Sequence, residues 1–211
     1  QITDSNILFT LNNIEKGKAK VHSFLKAFHD KNPYKGGVTL ETISSSMGWH
    51  QDFLKSVLNS LTNEKQMGKV NDLYSLSSYS EHTFSKIQLN QIRFLESYIK
   101  SSGLVPIEKT SLMKIKKYKH SEILDLIYFL KSKNKIEEIG NKFVIHKDYL
   151  SVLLCHLKKY FDHSHELSIL DFKKISGITR KTAIPLLEFL DESGYTIRKK
   201  DNRIIGPNLH D

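Results

Sequence analysis

Cysteine is nearly absent: Cys155 stands alone in 211 residues. An internal disulfide framework and a cysteine-built zinc site are both excluded, and a reducing compartment, the cytoplasm, is expected. No apolar run approaches the roughly 18 residues of a membrane span, so no membrane partner is expected. The start, Gln1-Ile2-Thr3-Asp4, has neither a signal peptide's pattern nor an initiating Met, and the chain reads as cut from something longer. No Gly-x-x-x-x-Gly-Lys-Ser/Thr loop occurs, so nothing here is built to cradle GTP phosphates. Catalysis has no foothold either. Glu188 and Asp191 are spaced i, i+3, but no nucleophile or convergent His accompanies them, and they read as a solvated helix face. The chain is also shorter than the roughly 250 residues of a catalytic barrel, which favours several small modules.

What is present is periodicity. Val21, Phe24, Leu25 and Phe28 mark an amphipathic helix over about 18–29 that stops before Asn32-Pro33. Thr39 is placed to cap a short helix through Met47, and Phe53, Leu54, Val57, Leu58 and Leu61 line a third. Met67 to Val70, Asn71-Asp72 and Leu73 to Leu76 then read as a hairpin. The order recurs in the middle third: a helix with Ile92, Leu95 and Ile99, a weaker one after Pro106, a third with Ile123, Leu124, Ile127 and Leu130, and a hairpin over about 135–145. In the last third, helices carry Leu150 to Phe161, Leu170 to Ile175, and Ala183 to Leu190, before a hairpin over about 195–205. Pro185 predicts irregularity in the last of these helices. The expected fold is mainly α with small β-hairpins (α+β), a tandem array of three winged-helix domains over 1–84, 85–146 and 147–211.

Acidic residues are in short supply: 23 against 32 Lys plus Arg leave a net +9, which suits an acidic partner such as nucleic acid or a ribosome. The three modules carry +1, +6 and +2. In the middle one, Lys114, Lys116, Lys117 and Lys119 crowd the approach to the third helix and suggest a secondary contact with messenger or ribosomal RNA. In the last, Arg180-Lys181 opens the third helix, and Arg198, Lys199, Lys200 and Arg203 lie in the hairpin. A winged helix sets helix start and wing on one side, so these six cations form a candidate RNA-binding surface. Cys155-His156 with His163 and His165 has poor spacing for a metal, and no metal site is expected. Trp49, Tyr98, Tyr118 and Tyr128 are candidates for base stacking but sit inside apolar stripes, which favours core positions.

The stretch Ser176-Gly177-Ile178-Thr179-Arg180-Lys181-Thr182-Ala183-Ile184-Pro185-Leu186-Leu187-Glu188-Phe189-Leu190-Asp191, followed by Gly194, Thr196-Ile197-Arg198 and Asp201-Asn202-Arg203, resembles the last winged helix of the bacterial selenocysteine-specific translation elongation factors, the SelB family. Phe28-His29-Asp30-Lys31-Asn32-Pro33-Tyr34-Lys35-Gly36-Gly37 resembles the region after the first helix of that family's second winged helix. The resemblance implies four winged helices on a GTPase, of which this chain holds the last three. It implies a non-catalytic segment without cofactor, with GTP and Mg belonging to a G domain elsewhere. The expected partners are a selenoprotein mRNA hairpin (the selenocysteine insertion element, SECIS), the ribosome and, through other domains, selenocysteinyl-tRNA; a monomer is expected. Arg180, Lys181 and Arg198 match the family's basic pair and wing, and Arg203 the basic residue after the wing turn. Thr182 departs from the bulkier residue often found after the pair. From the residues alone, a DNA-binding tandem winged-helix regulator and a protein-interaction array remain alternatives.

Overall fold

The computed structural model describes residues 10–70, 72–79 and 84–210; Gln1 to Asp4 and Asn71 lie outside the described residues. The chain forms two compact units, Gln1–Gln88 and Leu89–Asp211.

In the first unit, α1 (Leu11–Lys31) is capped by the Thr10 side chain, which accepts from the Asn13 amide at 3.3 Å. It extends beyond the apolar stripe that announced it and ends at Asn32, before Pro33, where helical geometry is disfavoured. Its buried face carries Ile14, Gly17, Val21 and Leu25. A two-residue strand β1 (Val38–Thr39) leads into α2 (Leu40–Met47), capped by Thr39 and closed by Gly48 at φ 64°. Helix α3 (Gln51–Asn63) crosses α1, and β2 (Met67–Val70) and β3 (Leu73–Leu76) form the wing in a sheet of order β1-β3-β2. The core joins Val21, Leu25, Ile43, Leu54, Val57, Leu61, Met67 and Leu76. His29 is also buried, its ring stacked 3.8 Å from that of Tyr79.

The second unit holds two further copies of the pattern. The first comprises α4 (Lys86–Ser101), β4 (Ile107–Glu108), α5 (Lys109–Met113), α6 (His120–Ser132), β5 (Ile136–Ile139) and β6 (Phe143–His146). The second comprises α7 (Lys147–Phe161), α8 (Ile169–Ser176), α9 (Arg180–Glu192), β7 (Thr196–Lys199), β8 (Asn202–Ile205) and a closing turn of helix, α10 (Pro207–His210). Leu167 and Arg203 exchange both backbone hydrogen bonds, at 2.8 and 2.9 Å, replacing the short strand of the other modules. No linker separates the two copies: His146 ends β6 and caps α7. All four residues of β6 are buried because both of its faces are covered. Phe143 and Ile145 join a core containing Leu150, Leu153, Phe172, Leu186 and Leu190 of the last module.

The repetition reaches individual hydrogen bonds. After α3, α6 and α9, the amides of Gln66, Lys135 and Tyr195 donate to the carbonyls of Leu61, Leu130 and Leu190 at 3.0, 2.9 and 2.9 Å. The preceding residues, Lys65, Asn134 and Gly194, have φ of 56°, 55° and 70°. This is the left-handed helix stop, and only the third copy fills it with glycine. Pro185 is accommodated within a continuous α9. Lacking an amide hydrogen, it leaves the Lys181 carbonyl without its usual i+4 donor.

Candidate nucleic-acid interface

Helix α9 starts differently from its counterparts. Asp52 and Glu122 stand in the first turns of α3 and α6, whereas α9 has no acidic residue there and no side-chain cap. Its N-terminus therefore presents amide dipoles flanked by Arg180 and Lys181. Thr182 is buried, and its hydroxyl donates to the Thr179 carbonyl at 3.1 Å. This small side chain is occupied with the helix start and offers no stacking surface.

The six cations divide into distinct groups. Arg180 is exposed and has no side-chain partner among the described residues. Lys181 reaches out of its own module, with Nζ 2.5 Å from Glu108 Oε1. That contact, with smaller help from Thr110 and Lys114, holds the Glu108 carboxyl below its ordinary value. On the wing, register pairs Arg198 with Arg203 and Lys199 with Asn202. Side chains alternate along a strand, so Thr196, Arg198 and Arg203 share one face and Lys199 and Asn202 the other. The first face lies toward α9: Asp191 accepts from the Thr196 hydroxyl at 2.5 Å and from Arg203 Nε at 3.2 Å. Lys199 on the second face lies 3.4 Å from Glu166, which also accepts from the Asn202 amide at 2.7 Å. Asn202 first, then Lys199, holds the Glu166 carboxyl below its ordinary value. Lys200 occupies the wing turn at φ 57° and is exposed, while its carbonyl accepts from Arg198 Nε at 3.3 Å.

Two sequence expectations need correcting. Arg203 is not a surface cation: its side chain is 5% exposed and is locked to Asp191. The cause is tertiary, because β8 runs between β7 and Leu167, so a residue at its centre is covered on both sides. Asp191, in turn, is not part of a solvated face. The acidic partners Glu108 and Glu166 were missed; Glu108 is distant in sequence from Lys181, and no local pattern signals the pair.

In the middle module, Lys114, Lys116, Lys117 and Lys119 are all exposed. Lys117 lies over the rings of Phe94 and Tyr118, at 5.5 and 5.7 Å from their centroids, and the Lys119 amide donates to Glu122 at 2.8 Å to start α6. Of the aromatic candidates, Tyr118 is buried, Trp49 is half-buried, and Tyr98 and Tyr128 are exposed rather than core. Among the described residues, no group of three or more His, Cys, Asp or Glu is arranged to hold a metal ion, and no helix is long and apolar enough to cross a membrane.

Residues 159–205, which span α8, α9 and the wing, match the family model described as "Elongation factor SelB, winged helix". The chain is thus similar to the winged-helix region of SelB-type factors, with the family pattern itself confined to the last module. It is 21% identical over 184 residues to the selenocysteine-specific elongation factor of Desulfomicrobium baculatum, covering 86% of this chain and 29% of that protein. Two solved SelB-type structures share its fold. The crystal structure of the bacterial selenocysteine-specific elongation factor EF-Sec aligns with TM-score 0.57 and 24% identity, over 95% of this chain and 31% of that one. The mRNA-binding domain of elongation factor SelB from E. coli, solved in complex with SECIS RNA, aligns with TM-score 0.51 and 20% identity, over 58% of this chain and 99% of that one. The chain thus spans about a third or less of the full-length factors it matches.

Proposed function

We propose that this region is the mRNA-binding, C-terminal part of a selenocysteine-specific elongation factor. Its last module recognises a SECIS hairpin, tethering a GTPase and selenocysteinyl-tRNA to the ribosome. GTP and Mg belong to the GTPase part, and this region itself is non-catalytic. The observation that carries the reading is the SelB family match over residues 159–205, which covers the acid-free start of α9 and the cationic wing. Arg180, with helix amides beside it, and Arg198, on the α9-facing side of the wing, hold two backbone stretches of one bent RNA. Lys200 adds charge at the wing tip. Lys181 and Lys199 take part by exchanging Glu108 and Glu166 for phosphate. Arg203 supports the wing from within. Selectivity comes from unpaired loop or bulge bases, because the deep groove of A-form RNA hides base edges. Lys114, Lys116, Lys117 and Lys119 make a secondary contact with messenger or ribosomal RNA.

The test is binding of the whole chain to a SECIS-type hairpin, the same stem with a scrambled loop, and duplex DNA of equal length. Preference for the first is expected. Equal affinity for all three would reduce the surface to generic polyanion binding, and preference for the duplex would favour a DNA regulator.

A further inference from the structure

The first unit, which the proposed hairpin surface does not involve, carries a groove of its own. This groove, of about 390 Å³, is lined by Asn13, Lys16, Gly17 and Lys20 of α1 and by Trp49 and Phe53 at the start of α3. That size falls in the range of small-ligand sites, about 300–1,000 Å³. Residue 17 is glycine where α1 packs on α3: a Cβ there would stand 2.7 Å from Val57 Cγ2 and 3.2 Å from Phe53 Cζ. The absent side chain lets α1 and α3 approach closely. Trp49 and Phe53 meet at 5.1 Å with an interplanar angle of 67°, an edge arrangement that fixes the orientation of both rings.

The charged residues that line the groove among the described residues are both lysines. Lys16 and Lys20 lie one turn apart on the same face of α1, are exposed, and have no ion pair or hydrogen bond from their side chains among the described residues. Lys18, between them in sequence, instead turns to Glu15 and Glu64, at 2.6 and 2.5 Å. Those two carboxylates are thus engaged with Lys18, and among the described residues no carboxylate lines the groove. Asp52, next to Phe53, directs its carboxylate to His50 at 3.5 Å. Asn13 adds a side-chain amide that both donates and accepts. Aromatic wall, uncompensated cations one turn apart and an amide at the rim together suit a planar base with a phosphate on either side.

We propose that this groove binds an unpaired nucleotide of single-stranded RNA, with the base against Trp49 and the flanking phosphates on Lys16 and Lys20. Stacking on an aromatic tolerates any base, so the site grips single strands without reading sequence.

The chain contains a single tryptophan, so emission excited selectively in tryptophan, at the red edge where the nine tyrosines do not absorb, reports on this groove. Titration of the full chain with a single-stranded RNA dodecamer in low salt should quench Trp49. The quenching should persist in Arg180→Ala, which alters the other surface. It should require about ten-fold more RNA in Lys16→Ala/Lys20→Ala, with the salt slope lowered by roughly 1.4 for the two phosphates lost. Both lysines are exposed and without a side-chain partner among the described residues, so the double variant should keep the parent circular dichroism. A strand of abasic ribose phosphates should leave the emission unchanged. The proposal is overturned if saturating RNA does not change Trp49 emission, or if the double variant or the abasic strand behaves like the parent pair. Quenching by a poly-glutamate peptide but not by RNA would overturn it in favour of an acidic protein partner.

Discussion

Lys181, the second residue of α9, forms its ion pair with Glu108 at the end of β4, 2.5 Å away, so the cationic start of α9 in the last module is partly neutralised by the middle one. Lys181 is 75% exposed and Glu108 32%, which makes the pair easy to exchange for a phosphate. Glu108→Gln is therefore expected to tighten hairpin binding several-fold in low salt and to increase its salt dependence by about one counterion. Arg180→Ala should weaken binding by on the order of 1 to 3 kcal/mol if its guanidinium reads a base. Filter binding across a salt series checks both; unchanged affinity in Glu108→Gln would mean that Lys181 stays with its carboxylate when RNA is bound.

Arg203 yields the opposite expectation. Removing a buried member of an ion pair strands its partner, so Arg203→Ala should destabilise the second unit by on the order of 3 kcal/mol. Under conditions where the variant is folded, the salt slope of RNA binding should match the parent. Urea unfolding together with the salt series distinguishes the two roles; a lowered slope in a fully stable variant would return Arg203 to the surface.

The left-handed helix stops offer a stability test. Lys65 and Asn134 occupy positions that favour glycine, as Gly194 shows in the third copy. Lys65→Gly is expected to stabilise the first unit by about 0.5 to 1 kcal/mol, after the greater entropy of unfolded glycine is deducted. A shift of the denaturation midpoint to lower urea would contradict the left-handed geometry.

His29 supplies a pH dependence. Burial lowers its pKa, with the Asp30 charge opposing in part. The unfolded chain takes up the proton near pH 6.5, the folded one only at lower pH, so the unfolded state binds more protons between these values. Stability of the first unit should be complete above about 6.5 and fall as pH is lowered, by at most about 1.4 kcal/mol per pH unit. The depressed carboxyls, such as Glu64, lose their contribution only in a more acidic range. His29→Phe should flatten the curve between pH 6.5 and 5; an identical slope in parent and variant would remove His29 as the cause.

The shared core of the second unit predicts how the chain can be divided. Ile139, Phe143 and Ile145 pack with Leu153, Leu186 and Leu190. A fragment of residues 147–211 should therefore unfold at lower urea than a fragment of residues 86–211 and bind a hydrophobic dye. Equal stability of the two would show that the last module needs no cover from β6.

The parts of this protein that local physics decides were legible in its residues. Helix stripes, the Thr39 cap and the strand-turn-strand alternations each depend on neighbours within a few positions, so three winged helices followed from periodicity. The basic pair at the start of α9 followed from the same reasoning. The family match rests on residues contiguous enough to be recognised as a string.

Tertiary structure decided what each charge does. Arg198 and Arg203 are the same residue type, paired in register on one face of one hairpin, yet one is exposed and the other buried. The difference is that β7 is an edge strand and β8 is covered by Leu167 and closed against Asp191. Lys16 and Lys18 differ likewise: only Lys18 points to the end of α3, where Glu64 waits. A sequence states which side chains carry charge, but whether that charge faces a phosphate or a carboxylate depends on elements folded back from tens of residues away, through Coulomb interactions that fall off within about 10 Å.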